Sequence, residues 1–182
     1  MQHSLTQRAP RLAVYAGVFD PPTLAHLEIV ETALGLFDRL LVVVASNMNK
    51  APAMFAAEER VALIKASLDE RQREVVDVRA YGGLVAPYAR SLGACALVRG
   101  MRPGTDPDHE IALSFMNQKL EPTLPTVLLV SSAAHVYLSS SFVRETVLIG
   151  GEIVPGSVSA PVEAALRRKI QEQQLRNGVQ VR

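Results

Sequence analysis

Arg11-Leu12-Ala13-Val14-Tyr15-Ala16-Gly17-Val18-Phe19-Asp20-Pro21-Pro22-Thr23-Leu24-Ala25-His26 joins a short apolar run to a glycine, a proline pair and the start of a helical pattern. The run Leu12 to Ala16 reads as a buried strand closed by Gly17 and the prolines. Thr23 suits an N-cap, and Leu27, Val30, Leu34 and Phe37 recur at helical spacing, which predicts a helix over Leu24 to Leu36. His26 then falls in the first turn of that helix, just past the carboxyl end of a strand. Unpaired N–H groups and the positive end of the helix dipole favour an anion there, with the imidazole as an added donor. From the residues alone, a neutral imidazole and an imidazolium fit equally well.

The alternation continues. Strand patterns recur at Leu40 to Ser46, Glu74 to Val78, Ala94 to Val98 and Thr126 to Val130, with helical patterns at Ala57 to Leu68, Leu84 to Leu92 and Asp108 to Leu120 between them. Two further helices are predicted at Ser139 to Ile149 and Ala160 to Gln173. Strand and helix in alternation predict an α/β fold, a Rossmann-like, doubly wound, parallel five-stranded sheet with helices on both faces and C-terminal helices. Ligands of such sheets bind at the carboxyl ends of the strands, where strand order reverses.

A chain of 182 residues, 48% of them hydrophobic, suffices for one well-buried domain, placed here at 11–173 between a flexible tail at 1–10 and a polar tail at 174–182. A net charge of +1 without a basic block gives no reason to expect nucleic acid or an anionic membrane as partner. The N-terminus lacks a signal-like apolar core and no apolar run approaches about 18 residues, so a cytoplasmic protein is expected. Cys95, inside Ala94-Cys95-Ala96-Leu97-Val98, reads as a buried structural thiol, and no His/Cys cluster suggests a protein-held metal.

Several chemistry-bearing residues follow strands. Lys50 lies in the loop after the second strand, where a solvated surface charge is the ordinary alternative. Arg99-Gly100-Met101-Arg102 follows the fourth. Arginine forks suit phosphate oxygens and a glycine allows close backbone approach, although two arginines closing a turn need no ligand. Glu110 and Asn117 are seven apart, nearly on one helical face. Ser139-Ser140-Ser141 stands at a helix start, where hydroxyls serve as caps or as phosphate donors.

Tyr-x-Gly-x-Phe-Asp-Pro followed by Thr-x-x-His resembles the nucleotidyltransferase superfamily with the TxGH/HxGH signature, and with Thr23 at the first position it resembles the bacterial phosphopantetheine adenylyltransferase family. Phe37-Asp38, Met54-Phe55 with Glu58-Glu59-Arg60, Arg99-Gly100-Met101-Arg102, Met116-Asn117 and His135-Val136-Tyr137-Leu138-Ser139-Ser140-Ser141 are similar to further family segments. The resemblance implies AMP transfer from ATP to 4′-phosphopantetheine, giving dephospho-coenzyme A and pyrophosphate, with Mg²⁺ accompanying ATP. It implies His26, Lys50 and Arg99 as catalytic residues. Gly17, Val18, Phe19, His26, Gly100, Met101, Arg102, Glu110, and His135 through Ser141 (His135, Val136, Tyr137, Leu138, Ser139, Ser140, Ser141) would bind ATP. Val18, Lys50, Leu84, Val85, Arg99 and Asn117 would bind the acceptor. A hexamer and feedback by coenzyme A are further family expectations.

The chain departs from the family at Val18, where a Thr that hydrogen-bonds phosphate is usual, and at Ala25, where Gly precedes the motif histidine. A valine side chain has no donor to offer. Val85 and Gly83 stand where Met and Asp are frequent in the family, and with Val18 they suggest a second reading, a sister adenylyltransferase with a different phosphorylated acceptor, while Val18 suggests a third, a weakly catalytic paralogue that binds nucleotide or coenzyme A.

Overall fold

Five strands form one all-parallel sheet in the order β3-β2-β1-β4-β5 in the computed structural model, which describes residues 9–46, 53–102, 107–176 and 178. The strands are β1 (Leu12–Gly17), β2 (Arg39–Ala45), β3 (Val76–Tyr81), β4 (Ala96–Met101) and β5 (Thr126–Val130). The helices are α1 (Leu24–Leu34), α2 (Ala57–Ser67), α3 (Glu70–Val75), α4 (Val85–Ser91), α5 (Pro107–Leu120), α6 (Ser140–Gly150) and α7 (Ala160–Arg176). The α/β fold expected from the alternating pattern is therefore present. Strand order reverses between β1 and β4, which is where a parallel sheet of this kind opens a crevice.

The period of two sorts β-strand side chains between two cores. Ala13 and Tyr15 of β1 and Leu40, Val42 and Val44 of β2 pack with Ile29, Val30 and Ala33 of α1 and Ile64 of α2. Val14, Leu41 and Val43 point the other way, onto Ala86 and Ala89 of α4. A third cluster, with Phe55, Leu63, Val143, Val147, Val162 and Leu166, fastens α6 and α7 to α2.

Some boundaries differ from the sequence reading, each for a local reason. Residues Glu70–Val75 form α3 because Asp69 and Gln72 make a reciprocal capping box: Asp69 Oδ1 accepts from Gln72 N at 2.7 Å, and Gln72 Oε1 accepts from Asp69 N at 3.1 Å. Strand β3 accordingly starts at Val76, two residues after the expected start, and runs on to Tyr81. Helix α7 continues to Arg176, into the stretch expected to be a polar tail. Cys95 is exposed, which corrects the expectation of a buried thiol. It precedes β4 at the amino edge of the sheet, and its N–H donates to Leu12 O at 2.8 Å.

Candidate active site

The β1–α1 turn is built around the ring of Phe19. Its backbone is in the left-handed region at φ 52°, and its ring lies edge-on to Tyr15 and to His26, with centroids 5.2 and 5.0 Å away. The ring comes so close to Gly17 that a Cβ there would lie 2.8 Å from Phe19 Cζ. A glycine is therefore favoured here by packing against that ring. Val18, between them, is 46% exposed, so its side chain is open to a ligand.

His26 is locked by its own helix start. Thr23 is the N-cap, with extended backbone at φ −120° and ψ 167°, and its N–H donates to His26 Nδ1 at 3.0 Å. The buried Thr23 hydroxyl also lies 2.9 Å from Nδ1. A ring nitrogen that accepts a backbone N–H carries no proton, so the imidazole is neutral and holds its proton on Nε2. Burial, and then the positive charge of Arg102, push the His26 pKa down to about 4. The choice the sequence left open is thus settled in favour of the neutral donor.

The remaining N–H groups of this helix start are largely spent, which corrects the expectation of a free helix N-terminus. Leu24 N donates to Ser157 O at 3.0 Å, and His26 N donates to Thr23 O at 3.0 Å. The start of α6 is the more open one. Ser139 caps it by accepting from Phe142 N at 2.9 Å, while the N–H groups of Ser140 and Ser141 have no acceptor among the described residues. The three hydroxyls are occupied within the protein: Ser140 Oγ donates to Pro21 O at 2.8 Å, and Ser141 Oγ accepts from Arg144 at 3.3 Å.

Asp20 ties these pieces together. Its carboxylate is buried and accepts from Met54 N and Phe55 N, both at 2.9 Å, while Arg144 of α6 donates to its backbone carbonyl. Sequence reasoning had quoted Asp20 in Phe-Asp-Pro without giving it a role. Arg60, quoted in Glu-Glu-Arg, was passed over in the same way, yet it is buried against the same turn. A buried ion has no local signature in sequence, since its partners come from distant segments.

Arg99 sits within β4 rather than after it. Pairing between β1 and β4 stops at Tyr15 and Val98, and Arg99 Nη1 then donates to the Ala16 carbonyl at 2.7 Å. Its Nε and Nη2 donate to the two oxygens of Glu110, each at 2.8 Å. Three of five guanidinium N–H bonds are thereby used, leaving two for a ligand. Glu110 is buried, and both its oxygens accept from Arg99, so the carboxylate anchors the arginine. Burial also pushes the neighbouring Tyr15 hydroxyl pKa well up, against the pull of the Arg99 charge.

Gly100 follows, half-buried in β4 with Met101. A Cβ on it would lie 3.2 Å from Ile29 Cγ1, so the glycine admits α1 onto β4. Arg102 is placed close enough to act on the His26 titration. Lys50 lies outside the described residues.

Leu84, Val85, Arg99 and Asn117, scattered over the sequence, line one cavity of about 220 Å³ together with Val14, Ala16 and Leu113. Gly83 at its edge also has no room for a Cβ, which would lie 2.6 Å from the Tyr81 hydroxyl oxygen. Ser132 and His135 are bonded to Glu28 of α1. Glu28 Oε2 is 2.8 Å from His135 Nδ1, and Glu28 Oε1 accepts from Ser132 N at 2.9 Å. Burial works to raise the Glu28 pKa, but the hydrogen bonds from Ser132 and His135 outweigh it, and the carboxyl titrates below its ordinary range. Tyr137 is 81% exposed beside them, and Val136 is half-buried.

The Cytidylyltransferase-like family matches residues 14–146, which takes in the β1–α1 turn, β4 and the start of α6. The phosphopantetheine adenylyltransferase of Syntrophomonas wolfei is 41% identical over 161 residues, 88% of this chain and 97% of the relative. That of Desulforamulus reducens is 41% identical over 162 residues, 89% of this chain and 96% of the relative. The chain belongs to the phosphopantetheine adenylyltransferase family. It is thus a nucleotidyltransferase, as Thr23 and the turn before it had indicated. The fold is shared more widely: a bifunctional NMN adenylyltransferase/ADP ribose pyrophosphatase from Francisella tularensis superposes with a TM-score of 0.68 at 14% identity, over 93% of this chain and 54% of that one. In the family's Thr-x-x-His motif, this chain shows why the threonine and histidine go together, since each is the other's hydrogen-bond partner.

Proposed function

We propose that this chain transfers the adenylyl group of ATP to 4′-phosphopantetheine, giving dephospho-coenzyme A and pyrophosphate. The observation that carries this reading is the cavity of about 220 Å³ lined by Leu84, Val85, Leu113 and Asn117, which is mostly apolar and bounded by the cationic Arg99. An amide-bearing, flexible arm ending in a phosphate suits that combination. The names of the relatives support the same acceptor.

In the proposed reaction an oxygen of the acceptor phosphate attacks the α-phosphorus of ATP in line, a new P–O bond forms, and the bond to pyrophosphate breaks. No side chain has to act as nucleophile. Catalysis comes from holding two anions together and from donors that strengthen as charge gathers on the equatorial oxygens. His26 Nε2 supplies such a donor without adding a charge that would have to be desolvated. The two open N–H bonds of Arg99 hold the acceptor phosphate, and Lys50 is assigned to the same pair of phosphates. The N–H groups of Ser140 and Ser141 face the rest of the triphosphate, as helix starts do. Val18 leaves one phosphate contact without its usual hydroxyl, and Ala25 adds a methyl group near the histidine.

Mg²⁺ would accompany ATP, and the described residues do not fit it as direct ligands. Asp20 and Glu110 are engaged by N–H groups and Arg99 respectively, and no group of three or more His, Cys, Asp or Glu side chains among the described residues is arranged around a cation. No described helix is long and apolar enough to cross a membrane, and we place the reaction in the cytoplasm. Phe115 and Met116, 60% and 63% exposed on α5, support an oligomer, a hexamer by family resemblance. Coenzyme A, which contains the product, is proposed as a feedback ligand of the same cavity.

The test is pyrophosphate release from ATP with and without 4′-phosphopantetheine. Release that requires this acceptor is the expected result. Faster release with nicotinamide mononucleotide would replace the acceptor, and ligand binding without release from any acceptor would make the chain a binding protein.

A further inference from the structure

Carbonyl groups from three separate segments converge on one buried guanidinium. Arg60 of α2 is 5% exposed. Its Nη1 donates to Val18 O at 2.6 Å and to Ala45 O at 3.3 Å, and its Nε donates to Ala56 O at 3.4 Å. No carboxylate lies within ion-pair distance of it among the described residues. A cation matched only by neutral carbonyls is a costly thing to bury, and an apolar side chain of similar volume would fill the space more cheaply. Stability alone is therefore a poor reason for an arginine at this position.

What the guanidinium does is set the direction of one peptide plane. The Val18 carbonyl is held toward α2, and because the peptide is planar and trans, the Phe19 N–H on the same plane must point the opposite way. That N–H has no acceptor among the described residues. From the far side, Asp20 holds the turn by accepting from Met54 N and Phe55 N. The turn is thus pinned at Val18 and at Asp20, with the free Phe19 N–H between the two pins. We infer that Arg60 is a positioning residue for adenylyl transfer, holding the Val18–Phe19 peptide so that its N–H is aimed at a phosphate oxygen. This rests on the adenylyltransferase reading.

The test compares wild type with Arg60→Lys, which keeps the charge but reaches fewer carbonyls, and Arg60→Gln, which loses it. Steady-state kinetics are measured at two temperatures, each checked against the melting curve, and the Phe19 amide is followed by NMR in ¹⁵N-phenylalanine-labelled protein during titration with ATP. Expected are a kcat about 10–100-fold lower in Arg60→Lys, larger losses in Arg60→Gln, and KM values within about threefold of wild type. The Phe19 amide should shift with ATP in wild type and shift less in Arg60→Lys. Wild-type kcat in Arg60→Lys, or a deficit that disappears wherever the variant is fully folded, overturns the inference. So does a Phe19 amide in wild type that ignores ATP, which needs no variant to fold. A wild type that shifts on ATP but releases no pyrophosphate with any acceptor would instead overturn the proposed activity and leave the aiming of this amide standing.

Discussion

The Thr23 N–H donates to His26 Nδ1 at 3.0 Å, and this one bond decides the protonation, the tautomer and the direction of the histidine. An imidazolium would aim a second ring proton at the Thr23 N–H. The ring is held neutral, with Nε2–H as its outward group.

Acid should destabilise the fold through this histidine. The unfolded chain protonates His26 near its ordinary value of 6.5, whereas the folded chain resists until about pH 4. Stability due to the neutral ring is full above pH 6.5 and is lost as pH falls toward 4. Melting temperatures measured over that window should fall more steeply in wild type than in His26→Gln, which has nothing to titrate. Parallel slopes would refute the assignment.

His26→Ala removes a donor that strengthens in the transition state. The expected loss is roughly 100- to 1000-fold in kcat, with ATP affinity by calorimetry changed far less. An equal loss in binding would make the histidine a ground-state ligand only.

Gly17→Ala tests the close approach of Phe19. The new methyl would lie 2.8 Å from Phe19 Cζ, and the ring is wedged between Tyr15 and His26. Overpacking of this kind costs about 1–3 kcal/mol. Urea unfolding should show it, and activity should fall further than stability because the displaced ring pushes on His26. Gly100→Ala meets the flexible side chain of Ile29 at 3.2 Å and should be the milder change.

Glu28→Gln loosens the segment that the resemblance assigns to ATP. The carboxylate bridges Ser132 N and His135, and the amide can accept only on one side. Hydrogen exchange at 132–137 should speed up and KM for ATP should rise about 3–10-fold, from the loss of one charge-assisted hydrogen bond. Unchanged exchange would show that the bridge does not hold the segment.

Much of this was legible in advance, and the pattern of misses is physical. The parallel sheet follows from periodicity, whereas the grouping of Leu84, Val85, Arg99 and Asn117, which line one cavity, came from the family resemblance. Helix α3 was announced by Asp69 and Gln72 but lost in a strand pattern that overlapped it. Arg60 and Asp20 were not readable as they are, because burial of a charge is decided by segments far apart in the chain, and the Arg99–Glu110 pair depends on how α5 lies against β4. The tautomer of His26 was equally hidden, since it depends on one backbone torsion at Thr23. The packing of Gly100 on Ile29 was hidden too, since it depends on how α1 lies across β4.

The carbonyl of Ser157 that takes the first N–H of α1 comes from near the opposite end of the polypeptide. During synthesis the histidine helix emerges early and the acceptor of its first N–H emerges late, so that bond closes only after Ser157 has cleared the ribosome.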